Sequence, residues 1–158
     1  MVESKYVLNG LIAGFIAGLV TSIILIISII TQDLDTIIEY SMKEAQKFIP
    51  LHDIGIMREY IRLGIIVSPI ITIVIISIWG ALFGALYEYL DKKMNYPARV
   101  IPIAITGLLL SILLVLPNVV IGSIGKAYTN SITCLVYTLT LLLLVYKKNP
   151  RVTVKNEQ

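Results

Sequence analysis

The chain offers few side chains that could carry out chemistry, and they are scattered rather than grouped. It has one histidine, His52, and one cysteine, Cys134. His52 is followed by Asp53 and Glu59, a set that is too sparse for a metal site of the usual kind. Cys134 has no base near it in the sequence, so we expect it to be a small buried apolar residue. The sequence therefore predicts no catalytic residue, no metal site and no cofactor.

The long apolar runs of the sequence carry no charged side chain in their middle. No Asp, Glu, Lys, Arg or His occurs in the middle of any long apolar run, although ion-coupled transporters place such groups at membrane depth. Hydrophobic residues make up 57% of the chain and charged residues 15%. Soluble domains have about 25% charged residues. This composition is typical of a chain whose solvent is lipid, and it argues against ion coupling and against nucleic-acid binding.

Four apolar runs are long enough to cross a bilayer as helices. They are residues 7–30, 63–89, 100–122 and 128–146. A membrane β-barrel would need shorter segments that alternate between apolar and polar residues. We therefore predict an all-α fold, a polytopic four-helix membrane bundle that forms a single domain over residues 1–146. The remaining residues, 147–158, form a polar C-terminal tail.

The connection between the first and second spans is long and contains an amphipathic stretch. The residues of its less polar face recur at helical spacing: Leu34, Ile37, Ile38, Ser41, Ala45 and Phe48. We predict a helix over residues 33–49, which ends before Pro50 and lies on the membrane surface or against the spans. A lid or a docking face for a partner is the alternative interpretation.

Basic residues in the short links predict the orientation of the chain. The link between the second and third spans carries Lys92, Lys93 and Arg99, whereas the link between the third and fourth spans carries Lys126. Because Lys and Arg are enriched on the cytoplasmic side, both termini are predicted to be cytoplasmic. We expect the protein to be integral to a membrane, the plasma membrane, with the lipid bilayer as its first partner.

Small residues recur every four positions in the first two spans. The first stripe consists of Gly10, Gly14, Gly18 and Ser22, and the second group consists of Ser77, Gly80, Ala81, Gly84 and Ala85. This spacing is typical of a glycine zipper, in which two helices approach closely because no bulk separates their backbones. Antiparallel spans would place both groups in the same half of the bilayer, so we predict that these helices pair. A narrow path lined by backbone is the alternative.

A polar stripe runs along the fourth span, and a related residue lies in the third. Its members are Asn130, Thr133, Tyr137 and Thr140, together with Asn118 next to Pro117. Offsets of three and four place the first four on one helix face, which we expect to point into the bundle. Packing and local backbone repair are the simpler interpretation. A polar path through the bundle is the alternative.

These features leave two hypotheses for the function. The first is a small non-enzymatic integral membrane subunit, which packs with partner membrane proteins or with itself as a homo-oligomer or in a larger membrane complex. The second is a small oligomeric channel or transporter for a neutral or weakly polar solute, without proton coupling. No phosphate-binding loop, nucleophile elbow or zinc-protease motif favours an enzyme.

Overall fold

The computed structural model describes residues 4–46, 54–93, 100–120 and 124–148, and every element in these ranges is an α-helix. The helices are α1 (Ser4–Thr31), α2 (Leu34–Gln46), α3 (Ile54–Lys93), α4 (Val100–Val120) and α5 (Ile124–Lys148). Four of them, α1, α3, α4 and α5, are long and apolar enough to cross a membrane. The predicted all-α bundle of four spans is therefore confirmed, with the shorter α2 between the first two.

The four long helices differ in how closely they pack. α1 packs most extensively against α3 and also against α5, and α5 packs against α4. α1 and α3 are antiparallel, since Gly84 lies beside Tyr6 whereas Ser22 reaches Pro69. α3 and α4 contact each other far less than α1 and α3 do. The bundle therefore has a tight side at α1 and a loosely packed seam between α3 and α4.

The core combines small residues of α1 with larger residues of the other helices. Ala13 and Ala17 are fully buried, and they belong to one cluster with Ile103, Tyr137 and Leu141. Cys134 lies buried in the same cluster, in agreement with its expected apolar role. The outward surface is rich in exposed Ile, Leu and Val. An outward surface of this kind suits a lipid solvent rather than water.

α3 is longer than the apolar run that it contains. It begins at Ile54, whereas the predicted span begins at residue 63. At 1.5 Å per residue its 40 residues reach about 60 Å, about twice the thickness of a hydrocarbon core. The connection predicted for residues 54–62 is thus helical, because a helix satisfies its own backbone hydrogen bonds and can continue out of the lipid.

α2 turns back from α1 and lies against the beginning of α3. The chain turns at Asp33, whose φ of 59° lies in the left-handed region that Asp tolerates better than most residues. Arg58 Nη2 donates a hydrogen bond of 2.8 Å to Asp35 Oδ1, and Ile38 is 1% exposed. Of the helix predicted over 33–49, the structure describes the part up to Gln46, and residues 47–49 lie outside the described ranges.

Candidate functional site

The glycine residues of α1 and α3 lie directly against each other. A Cβ atom built on Gly14 would lie 2.5 Å from the carbonyl oxygen of Ile76 and 3.0 Å from the Cα atom of Gly80. One built on Gly84 would lie 2.9 Å from the Cα atom of Gly10. Since real Cβ atoms do not approach other atoms this closely, the two backbones touch where the helices cross. We call this region the glycine contact; it comprises Gly10, Gly14, Gly18, Gly80 and Gly84.

Ser22 continues the contact toward the end of the bundle that carries α2. Its Oγ donates a hydrogen bond of 2.7 Å to the carbonyl oxygen of Pro69. One turn earlier, a Cβ on Gly18 would lie 3.0 Å from the Cα atom of Ile73. The four small residues predicted on α1 therefore all face α3, over a depth of more than three helical turns.

The small residues predicted on α3 do not all take part. Ser77 lies close to Gly14, and its hydroxyl donates a hydrogen bond of 2.7 Å to the carbonyl of Ile73 on its own helix. Ala81 and Ala85 are half-buried, and the closest approaches to the α1 glycines involve Ser77, Gly80 and Gly84 instead.

Two residues of the predicted polar stripe on α5 bind the α1–α3 pair. The hydroxyls of Thr133 and Thr21 lie 2.6 Å apart, and Tyr137 Oη donates a hydrogen bond of 3.1 Å to the carbonyl of Gly80. Both contacts are buried. Thr140 is half-buried and forms no side-chain hydrogen bond with the described residues. The polar stripe thus attaches α5 to the glycine contact.

The two asparagines share one acceptor. Asn118 Nδ2 and Asn130 Nδ2 donate hydrogen bonds of 2.7 Å and 2.8 Å to the carbonyl oxygen of Leu114. Pro117 has no N–H, so it frees the carbonyl of the residue four positions earlier, Leu113. The asparagines bind the next carbonyl along, and the Asn130 bond joins α5 to α4 beside the proline.

The loosely packed seam contains a cavity. Its volume is 910 Å³, and residues of all four long helices and of α2 line it. Asn118, Asn130 and Thr133 lie in its wall, but Tyr137 and Thr140 do not. The Thr21–Thr133 pair lies at its inner end, and the buried Tyr137 follows one turn deeper. The predicted polar stripe is therefore divided between a cavity and a packed core.

The opposite end of the bundle contains buried polar groups that the sequence did not single out. Glu88 is 3% exposed and accepts a hydrogen bond of 2.7 Å from Lys92 Nζ. Tyr87 is 1% exposed, and its ring centroid lies 5.7 Å from that of Tyr6. The burial of Glu88 could have been predicted from the sequence, since this residue continues the four-residue spacing of Gly80 and Gly84.

The described residues contain no group of three or more His, Cys, Asp or Glu side chains that could hold a metal ion. His52 and Asp53, which the sequence analysis considered together with Glu59, lie outside the described ranges.

Comparison with known proteins returned no matching family model, no matching curated protein and no matching solved structure. The class of the protein therefore follows from its fold alone: it is an all-α polytopic membrane protein with four apolar spanning helices.

Proposed function

We propose that this chain is a small non-enzymatic integral membrane subunit, which packs with partner membrane proteins or with copies of itself. The observation that supports this is the exposure of α3. We compared an apolar segment of 18 residues in each spanning helix. In α3, 11% of this segment is buried, compared with 28% to 33% in the other three helices. α3 is thus the helix with the most surface left for a partner.

The exposed face of α3 has a regular shape. Ile70, Val74, Ile78 and Leu82 follow one another at four-residue spacing, and each is more than half exposed. Rows of side chains at this spacing form the ridges that pack into the grooves of a neighbouring helix. The glycine contact serves a different purpose in this proposal: it acts as a glycine zipper within the chain and leaves the opposite face of α3 for the partner.

The test is the mass of the intact complex after purification in a mild detergent. We expect a defined oligomer or a complex with a second protein, and Ile78→Trp should reduce the complex to the single chain. Leu143→Trp is the matched control, because Leu143 is also exposed, at 68%, but lies on α5. Recovery of the wild-type chain as a monomer at all detergent concentrations would contradict the proposal.

We further propose that the protein resides in the plasma membrane with both termini in the cytoplasm. The support is the distribution of Lys and Arg between the short links. In a Cys134→Ala background, cysteines at Lys5 and Lys93 should resist an impermeant thiol reagent in intact cells, whereas a cysteine at Lys43 should react. All three positions are exposed in the structure. Labelling at Lys93 without lysis would reverse the orientation.

The cavity favours a second candidate function, a small oligomeric channel or transporter for a neutral or weakly polar solute. Its wall contains the amides of Asn118 and Asn130 and the hydroxyl of Thr133. A path through one chain would also have to open the contact between Tyr137 and Gly80. This candidate therefore requires either a second conformation or a pore formed between several copies.

A further inference from the structure

The cavity in the seam has the size and the lining of a small-molecule site. Its volume of 910 Å³ falls within the range of about 300–1,000 Å³ that is usual for ligand pockets. Much of its wall is apolar, formed by residues such as Ile24, Leu25, Ile65 and Ile76. A wall of this kind favours a ligand with an apolar body over a fully polar solute.

Several polar side chains in the cavity have no hydrogen-bond partner among the described residues. They are Ser28 and Gln32 of α1 and Thr72 of α3. Ser28 and Thr72 are half-buried and Gln32 is exposed, so their hydrogen-bonding groups are accessible to a bound molecule. A ligand that carries a polar head as well as an apolar body would satisfy them.

The charge of the cavity favours an anionic head. Lys126 is the ionisable residue among those that line it, and no acid lines it within the part of the chain that the structure describes. Lys126 is exposed, and it forms no ion pair with a described residue. It also lies in the first turn of α5, where the helix dipole adds a partial positive charge.

The cavity is reached from the side of the bundle that faces lipid. Ile75 lines it and is nevertheless 48% exposed, so this wall continues onto the outer surface of α3. The opposite wall of the seam is formed by Leu114 and Asn118 of α4. Because α3 and α4 contact each other so little, an acyl chain can enter between them from the bilayer.

From these observations we propose that the cavity binds a single-chain lipid with an anionic head. The acyl chain lies along the apolar wall between α3 and α4. The head accepts hydrogen bonds from Lys126 and from the side chains of Ser28 and Gln32, whereas Thr72 lies deeper, beside the acyl chain. This site is independent of the proposed subunit function and of the orientation of the chain.

The experiment uses a photoreactive palmitic acid, with a diazirine in the acyl chain, added to the purified full-length protein in detergent. We expect cross-links in the cavity-lining segments of α1, α3 and α4, residues 21–32, 65–76 and 114–118. Unlabelled palmitic acid should prevent them, and hexadecanol, which lacks the charge, should compete about tenfold more weakly. Cross-links spread over exposed outward positions such as Leu82 and Leu143, without competition, would overturn the proposal.

Two variants test the position of the ligand. Lys126→Gln should remove the preference for palmitic acid over hexadecanol, whereas Lys93→Gln, at the other end of the bundle, should retain it. Thr72→Trp fills the cavity and should abolish cross-linking, while Ile71→Trp adds the same bulk to a neighbouring residue outside the cavity wall and should not. Lys126 is exposed, so its replacement leaves the fold intact and the test remains decisive even if Thr72→Trp fails to fold. An unchanged preference in Lys126→Gln would disprove the charge recognition.

Discussion

At the scale of single residues, the close approach of α1 and α3 depends on the absence of a side chain at a few positions. Without Cβ atoms at Gly14 and Gly80, the backbones gain dispersion contacts and Cα–H···O interactions along the crossing. The hydroxyl of Tyr137 adds a hydrogen bond to the carbonyl of Gly80 at the same level. A substitution at Gly80 therefore disturbs three helices at once.

We predict that Gly80→Leu destabilises the protein by about 1–3 kcal/mol, because its side chain has to displace the backbone of α1. A Cβ atom at this position would already lie 2.7 Å from the Cα atom of Gly14. Gly64→Leu is the matched control on the same helix, since a Cβ atom there meets nothing within 4 Å. Thermal unfolding in detergent provides the measurement. Equal stability of the two variants would show that α1 and α3 do not touch at Gly80.

At the scale of elements, α2 and the beginning of α3 form a unit outside the apolar spans. α2 is too short to cross a bilayer, and Arg58 of α3 is paired with Asp35 of α2. Both side chains are about half or more exposed, so this ion pair contributes little to stability. Burial of Ile38 therefore provides most of the attachment of α2 to the bundle.

Ile38→Asp should release α2 from the bundle, because it places a charge on a side chain that is 1% exposed. Hydrogen exchange over residues 34–46 should then increase strongly, whereas exchange in the middle of α1 should not change. Tyr40→Asp introduces the same charge at a position that is 66% exposed and serves as the control. Unchanged protection of α2 in Ile38→Asp would mean that its apolar face is already in contact with water.

The sequence predicted the four spans because apolar length is a direct consequence of the thickness of the bilayer. It did not predict that α3 starts at Ile54, because hydropathy identifies apolar length rather than helix, and residues 54–62 include the charged Arg58, Glu59 and Arg62. It did not predict the burial of Glu88, although this residue continues the four-residue spacing of Gly80 and Gly84. Three residues of the polar path considered from the sequence, Asn118, Asn130 and Thr133, line the cavity. Its size could not be predicted, because it arises from the gap between two helices rather than from any one of them.

At the scale of the whole molecule, the cavity is open at one end and closed at the other. The polar residues at its inner end, Thr21 and Thr133, lie within hydrogen-bonding distance of each other, and the core below them is packed around the buried Tyr137. Each hydroxyl also has a carbonyl of its own helix within reach, at 2.9 Å. A solute would have to break these bonds, and no Asp, Glu, Lys, Arg or His of the described residues lies in the middle of the bundle to replace them.

The purified protein in liposomes should therefore show neither proton-driven uptake nor ion conductance. A proton-coupled transporter needs a titratable group at mid-depth, and a four-helix bundle with a packed core has no continuous aqueous path. The measurements are uptake under an imposed pH gradient and single-channel recording in a planar bilayer, with empty liposomes as the control. Tyr137→Ala opens the packed core below the cavity, so a leak in this variant alone would locate the barrier at Tyr137. Reproducible conductance of the wild-type protein that Thr133→Leu abolishes would instead favour the channel over the packing subunit.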